Sequence, residues 1–284
     1  MKFKSEVSNF NKVFRLLAKG VFLNYKTYFY TYVISIATFI LVFIVWFKNS
    51  ANLPMPPFIV SIITSCVFFS SMYIGLVVID WKKRNYLVKL KIGEVNRISF
   101  LLSVFFINLI ISTTNIILNI ITYNILVYST TVVIHNEVLQ NLKWYIWILY
   151  ILCTFIFIMF LTAINLLLTS ITKNVALSIF FVILFLIFSL SLSDSVVQPS
   201  MTSNFKVFRI LGYLNPAKYF VWFTMLVTSY SIYDIYGLTQ IIPDYFYGSP
   251  APFWNIYQTL IPAIIFLGVS LCGYYFLFKW GYKL

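Results

Sequence analysis

Six long apolar stretches alternate with short polar segments along the chain, and their lengths decide the class before any single residue does. Tyr28–Phe47, Phe58–Ile79, Ile98–Val127, Tyr145–Leu168, Val175–Leu192 and Leu260–Phe278 can each cross a hydrocarbon core of ~30 Å at ~1.5 Å rise per residue. The pattern predicts an all-α integral membrane protein with six transmembrane helices. Before the first span, Val7, Phe10, Phe14, Leu17 and Val21 recur at spacings of three and four, while Lys12, Arg15 and Lys19 point elsewhere. An amphipathic helix lying in the membrane interface is expected there, with Ser5 as its N-cap.

Polar residues inside the third span are periodic too. Asn108, Ser112, Asn115, Asn119 and Thr122 are four, three, four and three apart, so they form one narrow stripe that should face protein as a packing seam. Pro54, Pro56 and Pro57 make the first outer connection a tight turn. The segment from Ser193 to Gln258 is far longer than a turn requires. Within it, Tyr219–Tyr230 is apolar but only 12 residues, too short to span. Phe205–Leu214 reads as a second short helix, and Asn215–Pro216 separates the two because the residue before proline is pushed out of helical geometry. A re-entrant helical hairpin between the fifth and sixth spans is the expectation, with Tyr219 on it. The aromatic residues that follow, among them Tyr245, Tyr247, Phe253, Trp254 and Tyr257, suit the outer membrane interface. The layout is thus one transmembrane domain over 1–284: interfacial helix 1–27, spans one to five over 28–192, outer hairpin and loop 193–259, then the sixth span and tail 260–284.

Charge orients this layout. With the N-terminus cytoplasmic, 15 of the 20 Lys and Arg residues fall on inner segments, six of them in the loop Asp80–Arg97, so both termini are expected inside. The net charge of +13 therefore points to contact with membrane lipid and away from nucleic acid. At 61% hydrophobic residues and a mean hydropathy of +0.92, lipid is the only solvent that suits the chain. Abundant Ile, Asn, Lys, Phe and Tyr with only 9 Gly fit an AT-rich coding sequence, which favours a bacterial cell membrane.

Several chemistries are disfavoured. The spans as drawn hold no Asp, Glu, Lys, Arg or His, which argues against ion-coupled transport. His135 is the only histidine, in an outer loop, so neither a multi-His metal site nor a His-based dyad is expected. Cys66, Cys153 and Cys272 all lie in spans and carry no predicted redox role. Gly268 and Gly273 have the spacing of a phosphate loop, but Tyr274 stands where lysine is required. No enzyme activity or nucleotide site is expected in this chain, and no cofactor bound to it.

Two local stretches carry a resemblance. LNPAKYF at Leu214–Phe220 is similar to the asparagine–proline–aromatic element after the fifth span of ABC-2 type permeases, the membrane subunits of bacterial ABC exporters. LKIGEVNRISFLLSVFF at Leu90–Phe106 resembles that family's stretch from coupling loop into span three. The hydropathy layout extends the likeness over the whole chain. One departure is that Asp80 is followed by Trp81, Lys82 and Lys83, where the family has glycine and threonine.

The resemblance implies a dimer of two permease copies, or of this chain with a paralogue, driven by a separate ABC ATPase subunit that holds ATP and Mg. Coupling would run through the Asp80–Arg97 loop, where Tyr86, Leu87 and Leu90 form an apolar spot, Gly93 ends a short helix and Glu94 is available to a basic partner residue. Spans two and five would line the substrate path with Phe68, Phe69 and Tyr73, and with Phe181 and Phe185, suiting a lipophilic or amphipathic cargo such as a peptide, drug or lipid-like molecule. Another multi-pass transporter subunit, or a membrane scaffold that moves nothing, fits the same residues.

Overall fold

The computed structural model describes residues 2–48, 55–129, 139, 142–229, 235–242 and 250–282. Every regular element among them is helical. After α1 (Lys2–Phe22) comes an interrupted first long helix, made of α2 (Tyr25–Tyr28), a π-helical turn at Phe29–Val33 and α3 (Ile34–Lys48). Then follow α4 (Pro56–Lys83), the short α5 (Tyr86–Ile92), α6 (Arg97–Ser129), α7 (Trp144–Ile171) and α8 (Val175–Leu192). Three short helices, α9 (Pro199–Asn204), α10 (Lys206–Tyr213) and α11 (Pro216–Thr228), and a 3-10 turn at Ile235–Gln240 precede α12 (Ile256–Leu277).

Six of these helices are long and apolar enough to cross a membrane: Tyr25–Phe47, α4, α6, α7, α8 and α12. They coincide with the six expected spans and make this a multi-pass membrane protein. Most outrun the apolar stretch that announced them. α4, for instance, begins at Pro56 because proline is tolerated in a first helical turn, and runs on through Asp80 and Lys83 because nothing there breaks it. α1 is already helical at Lys2, so Ser5 lies inside its first turns and not at the N-cap. The expectations for Pro54, His135, Tyr245 and Tyr247 lie outside the described residues.

α4 is the axis of the bundle. It packs against α3, α6, α7, α8 and α11, and 89% of its most apolar window is buried, against 22% for α8 and 17% for α12. Its small polar residues explain why neighbours come so close: Ser61, Thr64, Ser65, Ser70 and Ser71 are all buried and spend most of their hydroxyls on backbone carbonyls one turn back.

The polar stripe of α6 is the seam that binds this axis to its neighbours. Asn108, Ser112, Asn115 and Asn119 are fully buried. Asn108 Nδ2 donates to Ser71 Oγ (2.8 Å) on α4 and Thr162 Oγ1 (2.9 Å) on α7. Ser112 and Ser70 share a 2.6 Å hydroxyl contact. Asn115 Nδ2 donates to the Thr31 carbonyl (2.8 Å), a group inside the π-helical turn, and so supports the interruption in the first long helix.

Beyond α8, the break between α10 and α11 falls where expected. Pro216 opens α11, and Asn215 caps it by accepting from Ala217 N at 3.1 Å. With 13 residues α11 reaches ~20 Å, short of a crossing, yet it is buried among α4, α7 and α12.

Candidate functional site

At one end of the bundle α4 passes into α5 through Arg84 and Asn85. Asn85 adopts a left-handed backbone (φ 57°), which asparagine tolerates, and so turns the chain sharply. The turn seats Leu87 at 0% exposure among Val13, Leu17 and Val21 of α1, Val78 of α4 and Phe100 of α6. Tyr86 and Leu90 sit half-buried at the margin of that cluster, and burial pushes the Tyr86 hydroxyl above its ordinary range, so it stays a neutral donor. The expected apolar spot of Tyr86, Leu87 and Leu90 is therefore corrected at Leu87: it is buried in the cluster shared by α1, α4 and α6, while Tyr86 and Leu90 stay partly exposed at its margin. The surface that α5 does present is Lys89, Lys91, Ile92, Gly93 and Glu94, with Ile92 78% exposed.

Gly93 ends α5 as its C-cap, as expected. It has an ordinary φ of −76°, and the left-handed residue is the next one, Glu94, at φ 59°. Val95 N bonds back to Leu90 O (3.2 Å) and Glu94 N to Lys91 O (3.0 Å), the paired pattern of a Schellman end. It projects Glu94 outward beside Ile92.

A cavity of about 680 Å³ opens behind α5, between α1, the first long helix and the end of α4. Tyr30, Tyr73, Trp81 and Tyr86 form its aromatic wall, and Lys26, Asp80, Arg84 and Lys89 its polar one. Tyr73 and Tyr86, expected in a substrate path and a coupling loop respectively, thus line one space. Thr27 Oγ1 donates to Tyr73 OH at 3.0 Å, and the Tyr30 ring stacks on it with centroids 5.9 Å apart. Arg84 Nε lies 3.0 Å from Asp80, but both are exposed and the pair contributes little.

The other expected path residues do not line this cavity. Phe68 is buried in the interior, edge-on to Phe157 at 5.2 Å, and Phe69 is buried beside it. Phe185 is half-buried against the same interior cluster, and Phe181 is half-buried on α8. Since α4 is enveloped, it offers no continuous lining face within one chain.

At the opposite end lies a constellation that residue-type reasoning missed. Asp194, just past α8, is 0% exposed in a left-handed conformation (φ 65°). Its carboxylate accepts from Thr202 Oγ1 (2.7 Å) and Trp222 Nε1, and lies 2.9 Å from Lys218 Nζ, itself buried. The ammonium has the charge contact but no well-directed hydrogen bond. Gly212 makes the room, because a Cβ there would stand 2.7 Å from that ammonium. Asn215 Nδ2 donates to Ser189 O (3.2 Å), Tyr219 OH to Tyr213 O (2.9 Å) and Tyr213 OH to Pro252 O (3.0 Å), tying α8, α10, α11 and the approach to α12 together. Asn215, Pro216 and Tyr219 thus build a clasp around an ion pair. Lys218 and Asp194, separated by two short helices, gave no local signal of partnership.

Among the described residues no three His, Cys, Asp or Glu side chains cluster as metal ligands would. The chain matches no family model, and no curated protein matches it.

Proposed function

We propose that this chain is the permease subunit of an ATP-driven exporter of the ABC-2 class, in the cell membrane of a bacterium, with both termini cytoplasmic. α1 lies in the inner interface, and α10 and α11 form a hairpin re-entering from the outer face. A separate ATPase subunit binds ATP and Mg, and a second permease copy or a paralogue completes the membrane part. The cargo is lipophilic or amphipathic.

The observation that carries this reading is the seating of α5. A helix of seven residues is fixed through Leu87 to the end of α4, the most enveloped of the six long helices, while Ile92 and Glu94 face outward. Force applied to α5 passes into α4 and from there to every helix packed on it, because close-packed interiors transmit displacement. That is the mechanical requirement of a subunit that hydrolyses nothing itself. Coreconstitution with its ATPase tests the proposal: efflux of an amphipathic dye from vesicles should require ATP and stop with Ile92→Asp. Efflux that ignores ATP but follows a proton gradient would favour a secondary carrier, the second reading, for which the buried Asp194–Lys218 pair is the specific observation.

A further inference from the structure

A second cavity, about 450 Å³, lies where the end of α5, the start of α6, the α7–α8 turn and the segment after α12 converge. Lys91, Arg97, Lys173 and Lys279 line it, with Trp280 and Tyr282, and no acidic residue does. Among the described residues the ion pairs are Arg84–Asp80 and Lys218–Asp194, so none of these four cations has a carboxylate partner there. A fifth basic side chain lies beneath. Lys82 is 1% exposed, spends its donors on Thr169 O and Oγ1 (both 3.0 Å) and Ser170 Oγ (2.7 Å), and sits 4.6 Å from the Phe278 ring that forms part of the cavity wall.

A topology signal requires cations on one side of the membrane, not that four of them line one hollow. Bringing them together costs repulsion unless an anion fills the space. Arg97 uses part of its guanidinium on the Tyr275 carbonyl and keeps further donors, the fork geometry that suits phosphate. Beside the hollow, Ile98, Phe276 and Leu277 are exposed apolar side chains on the spanning helices, where acyl chains would lie. We propose that this cavity holds the phosphate of an anionic phospholipid of the cytoplasmic leaflet, its chains running along α6 and α12. The bound lipid would neutralise the cluster and pin the segment after α12 beneath α4 and α7.

The test titrates the full-length chain in a neutral detergent with phosphatidylglycerol, phosphatidylcholine or glycerol 3-phosphate, counting retained molecules by native mass spectrometry. Phosphatidylglycerol should bind and phosphatidylcholine should not, and the triple variant Arg97→Gln, Lys173→Gln, Lys279→Gln should weaken binding by more than about tenfold. The triple variant Lys12→Gln, Arg15→Gln, Lys19→Gln removes as much charge elsewhere and should leave affinity within about twofold. If the first triple variant fails to fold, exposed Lys279→Gln alone should weaken binding and Lys279→Arg should restore it. Equal loss in both triple variants, or equal binding of phosphatidylcholine, would overturn the site. Glycerol 3-phosphate binding as tightly as the lipid would make the ligand a soluble phosphate and overturn the lipid assignment.

Discussion

Neutralising Asp194 should be among the most damaging single changes in the protein. Asp194→Asn keeps the shape but leaves the Lys218 ammonium, 1% exposed, without the carboxylate at 2.9 Å. At that distance and an effective dielectric of ~20 the gross attraction is ~6 kcal/mol, offset in the native pair by the desolvation of both ions. Removing one partner takes away the attraction and keeps the desolvation of the other, so a net loss of ~3–5 kcal/mol is expected. Lys218→Met should cost a similar amount by stranding the carboxylate. The double variant Asp194→Asn, Lys218→Met strands neither charge and should be more stable than the sum of the single effects predicts by ~2 kcal/mol or more. The assay is reversible unfolding in mixed nonionic and anionic micelles, followed by tryptophan fluorescence. Single variants that cost under ~1 kcal/mol, or costs that simply add, would refute the clasp as a coupled unit.

Other substitutions read the remaining geometry. Leu87→Asp should destabilise the protein by more than ~3 kcal/mol in the same assay because the site is fully buried, whereas Ile92→Asp should change stability by less than ~0.5 kcal/mol. Glu94→Gly should raise stability by ~1 kcal/mol by relieving a left-handed backbone. Asn108→Leu removes two interhelical hydrogen bonds and should cost ~1 kcal/mol, given ~0.6 kcal/mol for each in membranes. Single cysteines at Trp254 and Lys143 should react with an impermeant thiol reagent in intact cells and one at Lys89 should not; the reverse pattern would invert the topology.

The six spans were legible because length and hydropathy are properties of one segment at a time. The α6 seam was legible for the same reason, since a helix displays its own periodicity. The facing of α5 was not: Tyr86, Leu87, Leu90 and Ile92 are all apolar, and only the position of α1 decides that Leu87 turns inward and Ile92 outward. Nor does hydropathy rank helices by depth: α8 is more apolar than α4, yet α4 is enveloped and α8 peripheral. The serines and threonines of α4 were the available clue, because small residues mark close helix packing. Counting charges assigns Lys218 and Lys82 only to a side of the membrane, and it cannot show that both are buried, because their partners come from distant turns.

Photocrosslinking at position 92 tests the central claim most directly. A photoreactive amino acid placed at Ile92 of the tagged chain, in the cells it comes from, should trap an ATP-hydrolysing subunit, and the yield should rise when ATP hydrolysis is blocked with vanadate. The same probe at Ile261, exposed on the face of α12, should not trap it. If position 92 captures only lipid, or no nucleotide-hydrolysing protein under any of these conditions, the reading of α5 as a coupling helix is wrong and the exporter assignment falls with it.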